Sequence, residues 1–354
     1  MLKLKQLMEE MPEGIDATII LSEINRRYFT GFPSSAGILL VTRDMAYFLV
    51  DFRYYEKAAS LVTGAEVLLL EDTTKQLGEL FQRHGCKTVG IETKRMTLYE
   101  FKTYCSQFPS VCFSKDDALS DWIDSVRMVK TPDELKKISM AQQVTEAAFT
   151  HILSYTAEGL TERQVARELD RYLFDHADGT AFSTIVVSGG NSSSPHAKPS
   201  DKLIEDGDFV TMDFGALLDG YHSDMTRTVC IGQPSEEQLC LYKTVLFGQR
   251  MALDFLKAGQ KGSEADKLLR EYFDSQGYQG AFGHSLGHGV GLEIHELPTL
   301  SPKSEIVLKE GMVVTVEPGL YLPGKFGVRI EDMVEMTAYG CKNLTNAEKE
   351  LICL

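Results

Sequence analysis

The chain has 354 residues, of which 43% are hydrophobic and 25% charged, and it carries a formal net charge of -15. This length leaves room for two domains with sizeable cores, and the composition is ordinary for a soluble globular protein. The acidic excess argues against a nucleic-acid-binding surface, and no stretch approaches the apolar length of a membrane span.

The first residues and the cysteines bear on the cellular compartment. The opening sequence, MLKLKQLMEEMPEGID, lacks the apolar core of a secretory signal. The seven cysteines are scattered and form no CxxC pair, which is typical of reduced thiols rather than of a disulfide framework or a structural zinc site. We therefore expect a cytoplasmic protein.

Residues 1–121 have the pattern of an α/β domain. Short runs rich in Val, Ile and Leu predict strands, and segments with helical spacing separate several of them. The predicted strands are 17–21, 37–41, 46–50, 65–70 and 88–91, and the predicted helices are 52–61, 73–84 and 97–108. No glycine-rich loop follows a strand, so we expect no nucleotide site here. Residues 122–130, which include Trp122, are predicted to form a packed linker.

Residues 131–354 form a second predicted domain with an internal repeat of architecture. The sequence TPDE at 131–134 provides a capping hydroxyl, a proline at the first helical position and a capping-box glutamate. Further helix starts are predicted at Thr161 with Gln164, at Ser235 with Gln238, and at Ser263 with Asp266. Each pair of helices precedes a strand-rich segment, so we expect two copies of helix, helix and strands.

The segment from 208 to 229 is predicted to form a β-hairpin that turns at Asp219-Gly220. With a two-residue turn, Asp213 lies opposite Thr226 and diagonal to Asp224, so both carboxylates project from one face. Two ionised carboxylates this close repel each other unless a proton or a cation lies between them. The pair alone leaves open the alternative that one aspartate is a turn or edge residue and the other is solvated.

Two later strand-like segments, 312–317 and 326–336, place Glu317 and Glu331 on faces opposite their apolar residues. Between the hairpin and these two segments lies GHSLGHGVGLEIHE, at 283–296, which contains three histidines within a glycine-dense run. Four carboxylates and one neutral imidazole would be balanced in charge by two divalent cations. Oxygen ligands with one nitrogen suit Mn²⁺, Co²⁺ or Zn²⁺, with a preference for manganese, and two such ions can share a bridging water and polarise a carbonyl.

The combined motifs resemble those of the creatinase/aminopeptidase P/prolidase family, in its Xaa-Pro peptidase branch. They are SGGNSSSPH, VTMDFGALLDGYHSDMTRT, GHSLGHGVGLEIHE, EGMVVTVEPGLY and GVRIEDMV, in the family's order and spacing. The resemblance implies an α+β fold with a pita-bread catalytic domain at 131–354, preceded by an α/β creatinase-like domain at 1–121. It also implies a homodimer.

The same resemblance implies roles for individual residues. The implied metal ligands are Asp213, Asp224, His288, Glu317 and Glu331, of which Asp224 and Glu331 bridge two ions. The implied catalytic residues are His196 at the substrate or leaving amine, His295 at the oxyanion, and Glu317, which holds the hydroxide and moves a proton. His284, Arg329 and Tyr321 match substrate-site positions, with two alternatives: Arg329 only neutralises nearby carboxylates, or His284 is structural.

The function that the resemblance implies is hydrolysis of the bond between an N-terminal residue and proline, through a metal-bridging hydroxide. The motifs leave open whether the substrate is a dipeptide or a longer peptide. The alternatives are a methionine aminopeptidase, a metal-free creatinase-like amidinohydrolase and a non-catalytic pita-bread binding module. The preceding α/β domain disfavours the first, and the complete ligand set disfavours the other two.

Overall fold

The computed structural model describes residues 2–354, and the chain divides into two compact units, Met1–Val126 and Arg127–Leu354. No helix among residues 2–354 has both the length and the apolar composition of a transmembrane segment. The seven cysteines are all free thiols.

The first unit is a mixed six-stranded sheet with helices. Its helices are α1 (Leu2–Glu10), α2 (Glu23–Thr30), α3 (Phe52–Leu61), α4 (Thr73–Arg83), α5 (Leu98–Gln107) and α6 (Ala118–Met128). Its strands are β1 (Ala17–Ile20), β2 (Ile38–Thr42), β3 (Ala46–Val50), β4 (Glu66–Leu69), β5 (Thr88–Ile91) and β6 (Cys112–Phe113), in the sheet order β4-β3-β2-β1-β5-β6. Every residue of β1, β2 and β3 is buried, which explains their continuous apolar runs.

The predicted strands and helices of this unit are confirmed to within a residue or two at each end. The pattern missed α1, α2 and β6, because the first two present short apolar stripes and the third has two residues. The segment 122–130 is helical as far as Met128, and Trp122 stacks on Phe29 with ring centroids 6.2 Å apart. The domain limits at 121 and 131 stay a prediction.

The second unit contains two helix pairs and four small sheets. Its helices are α7 (Pro132–Tyr155), α8 (Glu162–His176), α9 (Glu236–Phe255) and α10 (Gly262–Ser275). The strands of the first half are β7 (Gly179–Thr180), β8 (Ile185–Ser188), β9 (Phe209–Phe214), β10 (Ala216–Leu218), β11 (Tyr221–His222) and β12 (Met225–Cys230), with a 3₁₀ helix at Gly189–Ser193. Those of the second half are β13 (Gly287–Gly289), β14 (Glu296–Leu300), β15 (Val313–Val316), β16 (Gly319–Leu322), β17 (Phe326–Arg329), β18 (Asp332–Met336) and β19 (Cys341–Asn343).

The sheet connections confirm the predicted repeat of helix, helix and strands. The first half pairs its strands in the orders β12-β9-β8 and β11-β10-β7, and the second half in the orders β14-β13-β15-β18-β19 and β16-β17. Apolar residues of α7 and α8, such as Phe149 and Leu169, pack against Met212 of β9. Leu241 of α9 and Leu269 of α10 belong to a second core with the strands of the second half. Each sheet layer is thus backed by its own pair of helices.

Three of the four predicted helix starts are confirmed. Thr131, Thr161 and Ser235 each cap a helix in a complete capping box. The start predicted at Ser263 with Asp266 is wrong, because the N-cap position is occupied by Lys261, two residues earlier, and α10 begins at Gly262. A Cβ at Gly262 would lie 2.4 Å from the Thr299 carbonyl oxygen, so the glycine allows the helix start to pass close to that strand.

The predicted hairpin is present, with the predicted register. Leu218 pairs with Tyr221 across Asp219 and Gly220, whose φ angles of 48° and 78° suit a type I′ turn. Asp213 pairs with Thr226, so Asp224 lies diagonal to Asp213. The hairpin bends at Gly215, where a Cβ would lie 1.8 Å from the Ser223 carbonyl oxygen, and its tip joins a different sheet from its base.

The segment 326–336, interpreted from its alternation as one strand, is two strands in different sheets. Strand β17 pairs with β16, whereas β18 pairs with β15. The chain passes between the sheets at Ile330 and Glu331, and the Glu331 amide donates to the Thr226 carbonyl at 3.1 Å. Alternation reports which face a residue occupies, but it does not report which partner each part of a segment pairs with.

Candidate active site and metal centre

Acidic side chains from both halves of the second unit converge on one cavity. Asp213 lies on β9, Asp224 directly precedes β12, Glu317 directly follows β15, and Glu331 lies between β17 and β18. They line a cavity of about 330 Å³ together with His288. Ligand atoms of Asp224, His288 and Glu331 all lie within 4.8 Å of one another. The repeated architecture therefore brings matching strand ends of the two halves together.

His288 is presented to this centre by glycines on both sides. A Cβ at Gly287 would lie 2.0 Å from the Thr315 carbonyl oxygen, and one at Gly289 would lie 2.4 Å from that of Leu297. The strands around β13 thus approach closely only because side chains are absent there. The Nδ1–H of His288 donates to the Gly289 carbonyl at 3.1 Å, which leaves the Nε2 lone pair free.

The Nε2 atom of His288 faces the carboxylates. It lies 3.5 Å from Oδ2 of Asp224 and 3.4 Å from Oε1 of Glu317. Burial lowers the pKa of His288, so its imidazole is neutral and able to bind a metal.

The electrostatics of the carboxylates call for a cation. Burial raises the pKa of Asp224 well above its usual value, and the charges of Glu331 and Asp213 raise it further. Burial likewise raises the pKa of Glu331 well above its usual value, with added repulsion from Glu317. The pKa of Glu317 rises to about 8, chiefly through burial. A divalent ion would stabilise the ionised forms of all these groups.

The side chains fit divalent metal ions by their hydrogen bonding as well. Within residues 2–354, Oδ1 of Asp213 is buried without a hydrogen-bond partner, whereas its Oδ2 accepts from Nη2 of Arg329 at 2.6 Å. A buried carboxylate oxygen is rarely left unpaired, and a metal ion would satisfy it. Four carboxylates and one imidazole nitrogen suit Mn²⁺, Co²⁺ or Zn²⁺.

Arg329 is buried at the back of this centre and ties several of its residues together. In addition to Asp213, it donates to the Tyr321 hydroxyl at 2.9 Å and, through Nε, to Oγ1 of Thr226 at 3.0 Å. Thr226 in turn donates to Oε2 of Glu331 at 2.6 Å. Arg329 therefore neutralises Asp213 while it also lines the cavity. Thr226 had no role assigned from the sequence, although its position opposite Asp213 was the available signal.

His284 is held in one tautomer by its neighbours. Its Nδ1–H donates to the Ser285 carbonyl at 2.8 Å, so its Nε2 accepts from the Tyr321 hydroxyl at 2.9 Å. Burial, reinforced by the charge of Arg329, lowers the pKa of His284 to about 4. His284 is therefore neutral near pH 7. Tyr321 is buried behind it and does not line the cavity.

His196 and His295 complete the polar wall of the cavity. The His295 ring lies 4.3 Å from the His288 ring, and burial lowers its pKa, with a further contribution from His288. Of the predicted site residues, only Tyr321 is absent from the cavity wall. The roles of the individual residues stay predictions.

The cavity also has an apolar wall that the sequence analysis did not identify. Phe182, Ile185 and Ile294 contribute to it, and Thr299 also lines the cavity. Ile294 directly precedes His295 within a quoted motif and was open to prediction. Phe182, Ile185 and Thr299 lie outside the motifs, and only the fold shows that their side chains line the cavity.

The fold and the carboxylate–histidine centre together identify the chain as a metal-dependent hydrolase. Residues 136–338 match metallopeptidase family M24, and residues 1–129 match the creatinase/prolidase N-terminal domain. The chain belongs to this metallopeptidase family. The match confirms the predicted relationship to creatinase and prolidase and the α+β pita-bread fold, and the family uses divalent metal ions.

Similar proteins extend over almost the whole chain. The uncharacterized peptidase YqhT of Bacillus subtilis is 42% identical, and the alignment covers 99% of each chain. A solved Xaa-Pro dipeptidase from Bacillus anthracis is 39% identical with a TM-score of 0.94, covering 99% of this chain and 98% of that one. A solved X-Pro aminopeptidase from Thermotoga maritima is 38% identical with a TM-score of 0.91, covering 96% and 98%.

Proposed function

We propose that this protein is a metal-dependent exopeptidase that hydrolyses the bond between an N-terminal residue and a following proline. The observation that carries the proposal is the convergence of a complete ligand set on one cavity: Asp213, Asp224, His288, Glu317 and Glu331. Its support is the near full-length similarity to an Xaa-Pro dipeptidase and an X-Pro aminopeptidase. Proline requires a dedicated cavity because it lacks an N–H group and restricts the residue before it.

The same five side chains would hold two divalent metal ions, and we propose manganese because the donor atoms are mostly oxygen. Bound there, the ions supply Lewis acidity that polarises the scissile carbonyl and lowers the pKa of water. The chain supplies the remaining steps through its own residues.

Glu317 is suited to proton transfer. It lies at the end of β15, with Oε1 accepting from the Thr315 hydroxyl at 3.1 Å, which orients the carboxyl group. Burial raises the pKa of Glu317 to about 8, and a bound cation would lower it towards the ionised form that can accept a proton. In the proposed reaction Glu317 takes a proton from water and passes it to the proline nitrogen as the C–N bond breaks.

The histidines and the apolar wall orient the substrate. In the proposed reaction the imidazole of His295 donates a hydrogen bond to the oxygen that gains charge at the scissile carbonyl. His196 contacts the leaving amine side, and neutral His284 lines the substrate site beside it. The side chains of Phe182, Ile185 and Ile294 exclude water and match the apolar surface of a pyrrolidine ring.

A matched pair of substrates tests the function, namely an Xaa-Pro dipeptide and an Xaa-Pro-Yaa tripeptide, with Xaa-Ala peptides as controls. Metal-stripped protein would be assayed with Mn²⁺, Co²⁺ or Zn²⁺ added. We expect metal-dependent release of the N-terminal residue from proline peptides and far slower cleavage of the alanine controls. Hydrolysis of the dipeptide alone identifies an Xaa-Pro dipeptidase, and hydrolysis of the tripeptide an Xaa-Pro aminopeptidase. Inactivity toward both with every metal contradicts the proposal and favours a non-catalytic binding module.

We further propose that the protein acts in the cytoplasm as a homodimer. The seven free thiols support a reducing compartment. The dimer rests on the family resemblance, and light scattering of the purified protein should give twice the mass of one chain.

A further inference from the structure

We propose that Glu162 is a positioning residue that holds the loop at 188–200, and with it His196, against the active-site cavity. The inference rests on the proposed function for its catalytic consequence. Glu162 is the first residue of α8 and is 0% exposed, yet it lies outside the cavity lining. A fully buried carboxylate is costly unless its surroundings compensate it, so its partners indicate its purpose.

Within residues 2–354, the hydrogen-bond partners of the Glu162 side chain all belong to this loop. Its Oε1 accepts from the amide of Ser188 at 2.7 Å and from the Nδ2 of Asn191 at 3.1 Å. Its Oε2 accepts from the amide of Ser200 at 3.0 Å and from the Ser200 hydroxyl at 2.6 Å. Hydrogen bonds to an ionised acceptor are about twice as strong as neutral ones, and the N-terminal turn of α8 favours a negative charge. Glu162 thus clamps both ends of the loop.

The middle of the loop is attached to the strands that carry active-site residues. The Ser192 hydroxyl accepts from the Gly327 amide of β17 at 2.9 Å, and the Pro195 carbonyl accepts from Nη1 of Arg329 at 3.3 Å. A Cβ at position 327 would lie 2.3 Å from the Ser192 carbonyl oxygen, so the contact is close enough to require glycine. The loop is therefore held at its ends by Glu162 and in its middle by β17.

His196 directly follows Pro195 in this clamped loop and lines the cavity. Displacing a reacting or orienting group by about 1 Å can cost about 100-fold in rate. Loss of the Glu162 carboxylate would let the loop relax at both ends, and the displacement would reach the cavity through His196. Glu162 would therefore act on the reaction without touching the substrate.

A double-mutant cycle separates this role from a general loss of stability. The variants are Glu162→Gln, His196→Ala and the double variant, assayed for kcat and KM with the proline peptide that the wild type cleaves best. We expect Glu162→Gln to lower kcat/KM by about 10- to 100-fold when His196 is present, as for other residues that orient active-site groups. In the His196→Ala background the same change should cost less than about twofold, because coupled residues are not additive. Equal losses in both backgrounds would overturn the proposal.

Glu168→Gln is the matched control, since Glu168 lies on the same helix but pairs with His151 and Arg171 instead of the loop. Its kcat/KM should stay at the wild-type value. If Glu162→Gln does not fold, Ser200→Ala takes its place in the cycle, because it removes one hydroxyl donor and keeps the carboxylate. The loss in kcat/KM caused by Ser200→Ala should likewise be larger when His196 is present than in the His196→Ala background.

Hydrogen–deuterium exchange gives a readout that does not depend on activity. Amides at 189–200 should exchange at least about tenfold faster in Glu162→Gln than in the wild type, while those of α9 keep their protection. Unchanged exchange in the loop would contradict the clamp. A wild-type protein that hydrolyses no proline peptide would refute the proposed function, whereas the exchange measurement would still decide the role of Glu162.

Discussion

Single residues at the centre of the second unit depend on one another for their ionisation. Asp224 and Glu331 are both buried, with ligand atoms within 4.8 Å of each other; the charge of Glu331 raises the pKa of Asp224, and the charge of Glu317 raises that of Glu331. Arg329 forms an ion pair with Asp213, so bound cations are needed to balance the charge of the remaining carboxylates. This mutual dependence makes metal binding sensitive to the loss of any one carboxylate.

Replacing Asp224 by asparagine should abolish peptidase activity and leave the fold intact, because the change removes a metal-facing charge but keeps the shape of the side chain. Metal content after dialysis against Mn²⁺, together with the rate of proline-peptide hydrolysis, provides the measurement. Asp219→Asn at the turn of the same hairpin is the control, since asparagine tolerates its positive φ of 48°. Full activity in re-manganated Asp224→Asn protein would contradict the assignment of Asp224 as a ligand.

Glu296 illustrates a second kind of buried charge, one that the protein balances internally. Lys130 and Arg127 donate to it at 2.7 Å and 2.6 Å. Burial opposes its ionisation, but the two cations prevail and hold its pKa below the usual value of 4.5. A carboxylate whose pKa is lowered by folding stabilises the protein above its unfolded-state pKa, and the contribution disappears as the pH falls through the folded-state pKa.

Glu296→Gln should accordingly lower the free energy of unfolding by about 3–5 kcal/mol near neutral pH, since it removes the carboxylate that balances buried Lys130 and one of those that balance Arg127. The difference from the wild type should shrink as the pH drops below 4.5. Urea unfolding across this pH range measures it. Glu305→Gln, at an exposed ion pair with Lys261, should leave the free energy of unfolding close to the wild-type value. A pH-independent difference would show that Glu296 does not act through its charge.

At the scale of elements, the site is built where strands approach more closely than side chains allow. Strand β13 consists of His288 between glycines at 287 and 289, so His288 enters the centre from a strand with almost no side chains. The bend of the hairpin at Gly215 has the same origin. The glycines at 215, 287 and 289 therefore mark close backbone contacts rather than flexible segments.

Gly287→Ala should displace β13 from β15, because its Cβ would lie 2.0 Å from the Thr315 carbonyl oxygen. We expect a loss of about 1–3 kcal/mol in the free energy of unfolding and a weaker affinity for Mn²⁺. Gly283→Ala is the control, since a Cβ there meets nothing within 4 Å. Unfolding curves and metal titrations of both variants provide the measurement. Equal behaviour of the two variants would show that the close approach is not required.

At the scale of the whole molecule, the repeated halves meet at a concentration of negative charge. One half contributes Asp213 and Asp224, and the other contributes His288, Glu317 and Glu331. Metal binding should therefore couple the two halves of the second unit and stabilise the folded chain.

Removing metal should lower the thermal midpoint, and added Mn²⁺ should restore it. A ligand present at about a hundred times its dissociation constant adds about 2.7 kcal/mol of stability when it binds only the folded state. Differential scanning calorimetry with and without a chelator measures the shift, and Asp224→Asn protein should respond far less to Mn²⁺. A wild-type midpoint unaffected by metal would contradict the proposed centre.

The sequence by itself determined the features that depend on local chemistry. Capping boxes at Thr131, Thr161 and Ser235, the turn at Asp219-Gly220 and the alternation of the hairpin are all readable because neighbouring residues specify them. The start of α10 was predicted wrongly because Gly262 is needed for a close contact with the Thr299 carbonyl, in a strand more than thirty residues further along the chain.

Only the tertiary structure decided which distant residues meet. It showed that Ile330 and Glu331 connect two different sheets, that Thr226 bridges Arg329 and Glu331, and that Tyr321 lies behind the cavity wall. It also revealed that Glu162, the first residue of α8, is the buried partner of a loop. Such contacts arise from packing between segments far apart in the chain, whereas periodicity and capping act only between near neighbours.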